Sequence, residues 1–222
     1  MQIDHEDARG YFEKYYTLCP DCIGIVLIVL YLFFPRHTEA KVTKSDNTQQ
    51  RSDAESFALE YPLVGRDNVF VFRTAAQAID ILGYGTGVVF MGIKDCPWCQ
   101  QYAVYLNDVA REMGVDKIFY CDIGEDRQNN TDSYRKIVSI LSGYLQHDDE
   151  GRPRVYVPDL TIVNRGTIVG HDFETSKETL GSSTPQEYWT DERINALKER
   201  LREGFKKGMN QVSQPSCNVC NQ

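Results

Sequence analysis

The sequence predicts an α/β fold in which a mixed central sheet is flanked by helices. Strand-like and helix-like segments alternate over residues 68–141, and this order is typical of parallel strands joined by crossover helices. A hairpin pattern follows at residues 160–171, so the last strands are expected to pair antiparallel. An amphipathic helix pattern from Asp191 completes the domain.

The first half of this pattern is bounded by clear start and stop signals. NVFVFR, from Asn68, is rich in strand formers and predicts the first strand. Thr74 is expected to cap a short helix over residues 75–82, and Gly83 is expected to end it. GVVFMG, residues 87–92, is apolar throughout and predicts a strand buried on both faces.

The second half continues the alternation and ends in the hairpin. After CPWC, residues 96–99, a helix is predicted to run to about Gly114, because apolar residues recur there at helical spacing. The following segments are predicted to be a buried strand (KIFYCDI), an amphipathic helix (SYRKIVSILSGYL), a surface loop (HDDEGRPR), a hairpin turning at Asn164-Arg165-Gly166, and a final helix (DERINALKERLREGFKKG).

Composition limits the class of partner. The chain has 222 residues, 41% of them hydrophobic, and a formal net charge of −8. Its aromatic residues lie in apolar runs and do not interleave with basic residues. A nucleic-acid partner is therefore not expected.

The sequence contains no GxSxG, phosphate-loop or HExxH pattern, so hydrolase and nucleotide-binding functions have no support.

The N-terminal part predicts a membrane tether. Residues 1–14 are polar, residues 15–35 form an apolar membrane segment, and residues 36–56 are predicted to be a flexible linker. The folded domain is predicted over 57–210, with a C-terminal tail at 211–222. The apolar segment fits a signal-anchor helix, a signal peptide cleaved near Thr38 and Ala40, or a buried core element. Flanking Lys and Arg residues slightly favour the linker side inside the cell.

Six of the seven cysteines form three CxxC pairs, and Cys121 is the seventh. CxxC spacing occurs in zinc knuckles, in structural disulfides and in redox centres. A disulfide closing so short a loop would stabilise little, and no histidine or second pair lies near CPWC to complete a zinc site. A redox pair is therefore the favoured interpretation of Cys96 and Cys99.

The chemistry expected of CPWC follows from its place at the start of a helix. Unpaired N–H groups and the helix dipole favour a thiolate on Cys96, which makes Cys96 the expected nucleophile. Pro97 suits the first turn, Lys94 is expected to favour the thiolate, and Asp95 to oppose it. Cys99 is expected to be more buried and to resolve the mixed disulfide. Trp98 is expected to cover the site and offer a flat apolar surface to substrate.

CPWC after a buried strand, the Val157-Pro158 step before DLTIV, and the closing hairpin and helix together resemble the thioredoxin superfamily over about residues 57–207. Within it, the chain looks most like bacterial membrane-anchored or extracytoplasmic thioredoxin-like proteins, including the bacteriocin-transport accessory type. The resemblance implies that Pro158 is cis and faces the cysteine pair, and that Val157 offers its backbone to the substrate chain. It also implies a domain outside the cytoplasm.

One position departs from that resemblance. Thioredoxins carry an acidic residue six positions before the first cysteine, where it moves protons during resolution. This chain has Phe90 at that position, and GVVFMG contains no carboxylate. Resolution is expected to use water or another group.

The remaining cysteines and histidines carry weaker predictions. Cys121 is predicted to be a small buried hydrophobe. Cys217 and Cys220 fit either an accessory redox pair or a passive, metal-catching tail, and Cys19 and Cys22 raise the same question beside the apolar segment. A zinc site shared by these two outer pairs is the less favoured hypothesis. The histidines lie in polar regions. His171 ends the hairpin and fits either a residue that approaches the site or a solvated strand end, and the solvated strand end is the favoured interpretation.

The sequence therefore predicts a thiol-disulfide oxidoreductase with a redox-active Cys96-Cys99 disulfide and a part in cell redox homeostasis. No organic cofactor or metal is expected. Its partners would be protein thiols or disulfides, a redox partner that resets the couple, and a membrane reached through the N-terminal segment. The alternative is a binding or accessory module of an export system, in which the cysteines are non-catalytic or bind metal.

Overall fold

The computed structural model describes residues 44–172 and 184–212. In chain order the elements are α1 Lys44–Glu60, β1 Phe70–Phe72, α2 Ala75–Tyr84, β2 Gly87–Gly92, α3 Pro97–Glu112, β3 Ile118–Asp122, α4 Gly124–Gln128, α5 Asp132–Leu141, β4 Gln146–His147, β5 Pro153–Arg154, β6 Asp159–Asn164, β7 Thr167–Asp172, α6 Pro185–Tyr188 and α7 Asp191–Val212.

A five-stranded mixed sheet has the order β1-β3-β2-β6-β7. β1 and β2 both pair parallel with β3, whereas β6 pairs antiparallel with β2 and β7. Helices α3 and α7 pack against each other, and α2 packs against both the sheet and α5. The predicted α/β class, with a mixed sheet flanked by helices, is therefore confirmed.

Local signals set most element boundaries. Thr74 caps α2 in a capping box with Gln77, as its position predicted. The helix runs through Tyr84 and does not stop at the predicted Gly83, because the N–H of its C-cap residue, Gly85, donates to the carbonyl of Ile81 at 2.8 Å. The β6–β7 turn has Arg165 at φ 49° and Gly166 at φ 73°, which are the two left-handed residues that a tight hairpin turn needs.

The predicted surface loop HDDEGRPR is partly wrong, because its ends form the small antiparallel pair β4–β5. The Asp148 carboxylate closes the turn between these strands by accepting the backbone N–H groups of Glu150 at 3.1 Å and Arg152 at 2.9 Å. Such a local side-chain bond is not visible as a strand pattern in the sequence.

The predicted linker over 36–56 is wrong from Lys44 onward, where α1 begins. Long-range contacts hold this polar helix in place. The ring of Phe57 stacks on Phe70 with centroids 3.9 Å apart, and the Asn68 amide donates to the carbonyl of Ala54 at 2.9 Å. The folded part therefore includes residues before the predicted start at 57.

At the other end, α7 continues through Val212, so the predicted tail boundary at 211 is also shifted. The predicted segments 1–14 and 15–35, the linker residues before 44, and the tail residues after 212 lie outside the described residues. Cys19, Cys22, Cys217 and Cys220 are therefore not placed by the structure.

Candidate active site

Cys96 lies where strand β2 gives way to helix α3, as predicted. It occupies the N-cap of α3 with extended backbone angles, and Pro97 takes the first helical position. The Cys96 N–H donates to the carbonyl of Ile93 at 3.0 Å, and its own carbonyl accepts the Gln100 N–H at 3.0 Å. Cys96 is half-buried and Cys99 fully buried, and both are free thiols.

Several neighbours lower the pKa of Cys96 to about 6. The largest cause is the hydrogen bond with the Cys99 thiol; the backbone N–H groups of Cys99 and Trp98 and the charge of Arg127 act in the same direction against burial.

The pKa of Cys99 shifts the opposite way. Burial raises it well above its ordinary value, and the hydrogen bond and charge of Cys96 raise it further. The Ile93 N–H and Arg127 oppose this shift only in part. At neutral pH the pair therefore holds one thiolate at the accessible sulfur and one proton at the buried sulfur.

Arg127 is the site residue that sequence reasoning missed most clearly. It lies on α4, thirty-one residues after Cys96, and its charge lowers the pKa of both cysteines. The sequence predicts Lys94 in this role. Lys94 is exposed, and the structure shows its backbone N–H donating to the Asp122 carboxylate at 3.3 Å.

The Val157-Pro158 peptide is cis. Met91 pairs with Asp159 in the β2–β6 register, so Pro158 lies at the sheet edge where β2 ends and the Cys96 loop begins. Both Val157 and Pro158 are buried. The structure therefore brings the predicted substrate-binding step to the same edge of the sheet as the cysteine pair.

Trp98 is positioned differently from the prediction. Only 8% of it is exposed, and its ring packs edge-on against Tyr188 of α6, with centroids 5.2 Å apart. Trp98 therefore joins α3 to α6 and does not present an open apolar surface. Nothing in the local sequence CPWC predicts this contact, because α6 lies almost ninety residues later.

Buried tyrosines lie near Cys99, in a region where β2 carries Phe90 and no carboxylate. Phe90 is buried and stacks on Tyr102 of α3 at 5.9 Å. The Tyr61 hydroxyl donates to the Tyr120 hydroxyl at 3.0 Å, and Tyr120 donates to Asp122 at 3.4 Å. Burial raises the pKa of both tyrosines, so their hydroxyls stay protonated.

Residues of helix α1 and strand β3 also form hydrogen bonds with the segment around Cys96, residues 93–100, which is called the cysteine loop. The Gln100 side chain donates to the carbonyls of Glu60 and Lys94, and Asp122 accepts the backbone N–H groups of Lys94 and Gly124. The position of Asp122 was accessible from the sequence, because β3 and β2 are parallel and both end at this edge. The contribution of α1 was not, because the polar sequence of this segment predicts a linker.

Cys121 is fully buried in β3, as predicted, and burial raises its pKa to about 12. The prediction for His171 is wrong. Its side chain is 5% exposed, and Nε2 lies 2.9 Å from Oδ2 of Asp159, which is 1% exposed. Asp159 is the first residue of β6 and directly follows Pro158. It contacts His171 on the neighbouring strand β7.

Within residues 44–172 and 184–212, no cluster of three or more His, Cys, Asp or Glu side chains is arranged to hold a metal ion. The hypothesis of a zinc site from the outer cysteine pairs concerns residues beyond these ranges. Among the described helices, none has the length and apolar content to cross a bilayer.

Comparison with known proteins does not assign the chain to a family. The sequence matches no protein-family model, and it matches none of the curated proteins.

Proposed function

We propose that the protein is a thiol-disulfide oxidoreductase of thioredoxin-like fold that acts on protein thiols and disulfides through Cys96 and Cys99. The sheet order β1-β3-β2-β6-β7 supports the proposed fold, because it joins parallel strands through helices and closes with an antiparallel hairpin. The cis Val157-Pro158 step beside the cysteine loop supports it further.

One observation carries the proposal: Cys96 is half-buried at the N-cap of α3, whereas Cys99 is fully buried one turn later. The accessible Cys96 has a pKa of about 6, so it is mostly thiolate near pH 7, whereas the buried Cys99 keeps its proton. A structural disulfide needs no such difference, and a metal site would need both sulfurs ionised. A nucleophile and a resolving thiol need this asymmetry.

The chemistry follows from this arrangement. The Cys96 thiolate attacks a substrate disulfide, forms a mixed disulfide and releases one substrate thiolate. Cys99 then loses its proton, attacks the Cys96 sulfur and releases the second substrate thiolate. Two electrons pass from the protein dithiol to the substrate disulfide, and the reverse sequence oxidises a substrate dithiol.

The substrates are proposed to be proteins, with a second redox protein resetting the couple. We also propose that residues 15–35 tether the domain to a membrane, with the domain outside the cytoplasm. Accessibility of Cys96 to a membrane-impermeant thiol reagent in whole cells tests this placement. Labelling only after the cells are permeabilised would contradict it.

Trapping tests the proposed reaction. We expect Cys99→Ser to accumulate mixed disulfides between Cys96 and substrate proteins, because the resolving thiol is gone. Cys96→Ser is expected to trap nothing and to lose all measurable disulfide reduction. The measurement is non-reducing electrophoresis of the full chain after acid quenching, followed by identification of the captured proteins.

Cys121→Ser is the matched control, since it removes a buried thiol outside the pair and is expected to keep wild-type activity. Full biological activity in Cys96→Ser would contradict the enzyme proposal and favour the accessory-module function. The direction of electron flow is assigned by the reduction potential, read from Trp98 fluorescence. A value near about −270 mV indicates a reductant, and one of about −120 to −180 mV an oxidant or isomerase.

A further inference from the structure

A cavity of about 380 Å³ lies between α4, α5 and the β4–β5 hairpin. Four arginines line it, against one acidic side chain, Asp148. The arginines are Arg127, Arg135, Arg152 and Arg154. Such a concentration of positive charge is unexpected in a chain whose formal net charge is −8.

The cavity is connected to the cysteine site through Arg127 and Val155. Arg127 is the same residue whose charge acts on both thiols, and its guanidinium donates to the carbonyl of Val155 at 3.4 Å. Tyr134, also on the cavity wall, accepts the Val155 N–H at 3.3 Å. Val155 precedes the cis Val157-Pro158 step by two residues, so the cavity wall continues into the proposed substrate-binding segment.

The four arginines of the cavity differ in whether they form an ion pair with a carboxylate. Arg152 pairs with Asp148 and Glu150, and Arg135 pairs with Asp132. Neither Arg127 nor Arg154 has a carboxylate within ion-pair distance among the described residues; Arg154 lies near the Tyr156 ring, at 5.7 Å. These two guanidinium groups therefore have no direct carboxylate partner among the described residues, although Arg127 donates to the Val155 carbonyl and the charge of Arg154 helps to lower the pKa of Asp148.

We propose that this cavity binds carboxylate side chains of an acidic segment that flanks the reacting cysteine of the protein substrate. The inference rests on the proposed function and adds a substrate class to it. Guanidinium groups bind carboxylates with paired hydrogen bonds, which gives both orientation and attraction. An acidic segment held there would place its neighbouring cysteine toward Cys96.

A pair of peptides tests this inference. Each carries one cysteine in a disulfide with 4-thiopyridine, which adds no charge to the peptide, and has either glutamates or glutamines on both sides of the cysteine. The reduced protein attacks the peptide sulfur with Cys96 and expels the thiopyridine thiolate. Cys99 then closes the Cys96-Cys99 disulfide and releases the peptide thiolate, so two electrons leave the dithiol.

The protein for this test is the full chain in detergent, with Cys19, Cys22, Cys217 and Cys220 changed to serine in every variant. The readout is the ratio of second-order rate constants for the acidic and neutral peptides, from thiopyridone absorbance. We expect the acidic peptide to react about tenfold faster at low ionic strength, since charge complementarity acts mainly on the association rate. The ratio should fall toward one at about 1 M salt.

The variant is Arg127→Gln with Arg154→Gln, and the matched control is Arg165→Gln. Arg165 is exposed in the β6–β7 turn, at the opposite end of β6 from Pro158, so it removes a positive charge away from the cavity. We expect the double variant to bring the ratio close to one and the control to keep it. A loss of Cys96 reactivity alone would slow both peptides and leave the ratio unchanged.

Equal rates for the two peptides with the protein that keeps Arg127 and Arg154 would overturn the inference and leave the proposed function intact. A preference that survives in the double variant would overturn it as well. No thiopyridone release from either peptide would contradict the proposed function, and the inference would fall with it.

Discussion

At the scale of single residues, the proposed chemistry depends on where each sulfur lies relative to the first turn of α3. Cys96 at the N-cap is half-buried and faces the Cys99 thiol, backbone N–H groups and Arg127. Cys99, one turn later, is fully buried. Two identical side chains thus differ in reactivity because one position is at the end of a helix and the other inside the core.

The pKa of Cys96 gives a direct prediction. We expect its alkylation rate by iodoacetamide to rise around pH 6 and to level off above it, because only the thiolate reacts. The alkylation rate of an ordinary thiol has its midpoint at about pH 8.5. Cys99→Ala should move the midpoint upward, since the hydrogen bond from the Cys99 thiol is the largest cause of the low pKa. The measurement is mass spectrometry of the reduced protein over a pH series.

Cys121→Ser serves as the control in that series and should leave the Cys96 midpoint unchanged, because Cys121 is not among the groups that shift it. A midpoint near that of an ordinary thiol in the unsubstituted protein would contradict the proposed activation of Cys96.

At the scale of secondary-structure elements, α1 shows how a polar segment becomes part of a core. Most of its side chains face solvent, but Ala54 and Phe57 are buried, as is Tyr61 just beyond its end. Its last turn reaches the cysteine loop, where the carbonyl of Glu60 accepts the Gln100 amide at 2.7 Å. The helix therefore supports both the sheet and the candidate site.

Phe57→Ala is expected to lower the free energy of unfolding by about 3–5 kcal/mol, because it removes a fully buried ring and leaves a cavity. The ring stacks on Phe70 and Tyr61, with centroids 3.9 and 4.3 Å away. Urea denaturation of the reduced protein, followed by Trp98 and Trp189 fluorescence, measures the change.

Leu59→Ala is the matched control for α1, since Leu59 is on the same helix and 83% exposed. It should change the free energy of unfolding by less than about 0.5 kcal/mol. If both variants lost the same stability, α1 would not pack on the sheet through Phe57.

At the scale of the folded unit, the β6–β7 hairpin docks against the end of α2, about eighty residues earlier in the chain. The Gly166 N–H donates to the carbonyl of Gly85 at 2.9 Å, and the Arg165 N–H donates to the Thr86 hydroxyl at 2.9 Å. A Cβ on Gly166 would overlap the carbonyl of Gly83. The turn therefore needs glycine for both its left-handed backbone and its close approach.

Gly166→Ala is expected to cost at least about 2 kcal/mol of unfolding free energy, since a left-handed backbone alone costs about 1–2 kcal/mol for a residue with a side chain. Thermal unfolding of the reduced protein measures it. Gly143→Ala is the control, because a Cβ there meets nothing within 4 Å, and it should be neutral within about 0.5 kcal/mol. Equal midpoints for the two variants would contradict the docking.

Much of this fold could be predicted from local patterns. The buried strand GVVFMG, the capped helix after Thr74 and the turn at Arg165-Gly166 follow from signals within a few residues of each other. The place of Cys96 at a helix start was predictable for the same reason. Errors at the end of α2 and in the loop before β5 arose where one or two hydrogen bonds moved a boundary.

By itself, the sequence determined the α/β class, the order of strands and helices, and the position of CPWC between a strand and a helix, because periodicity and Gly or Pro signals act over short distances. Only the tertiary structure decided that Arg127 acts on both thiols, that Trp98 packs under α6, that His171 meets Asp159, and that α1 is part of the core. These features depend on burial and on contacts between residues far apart in the chain, which no local pattern encodes.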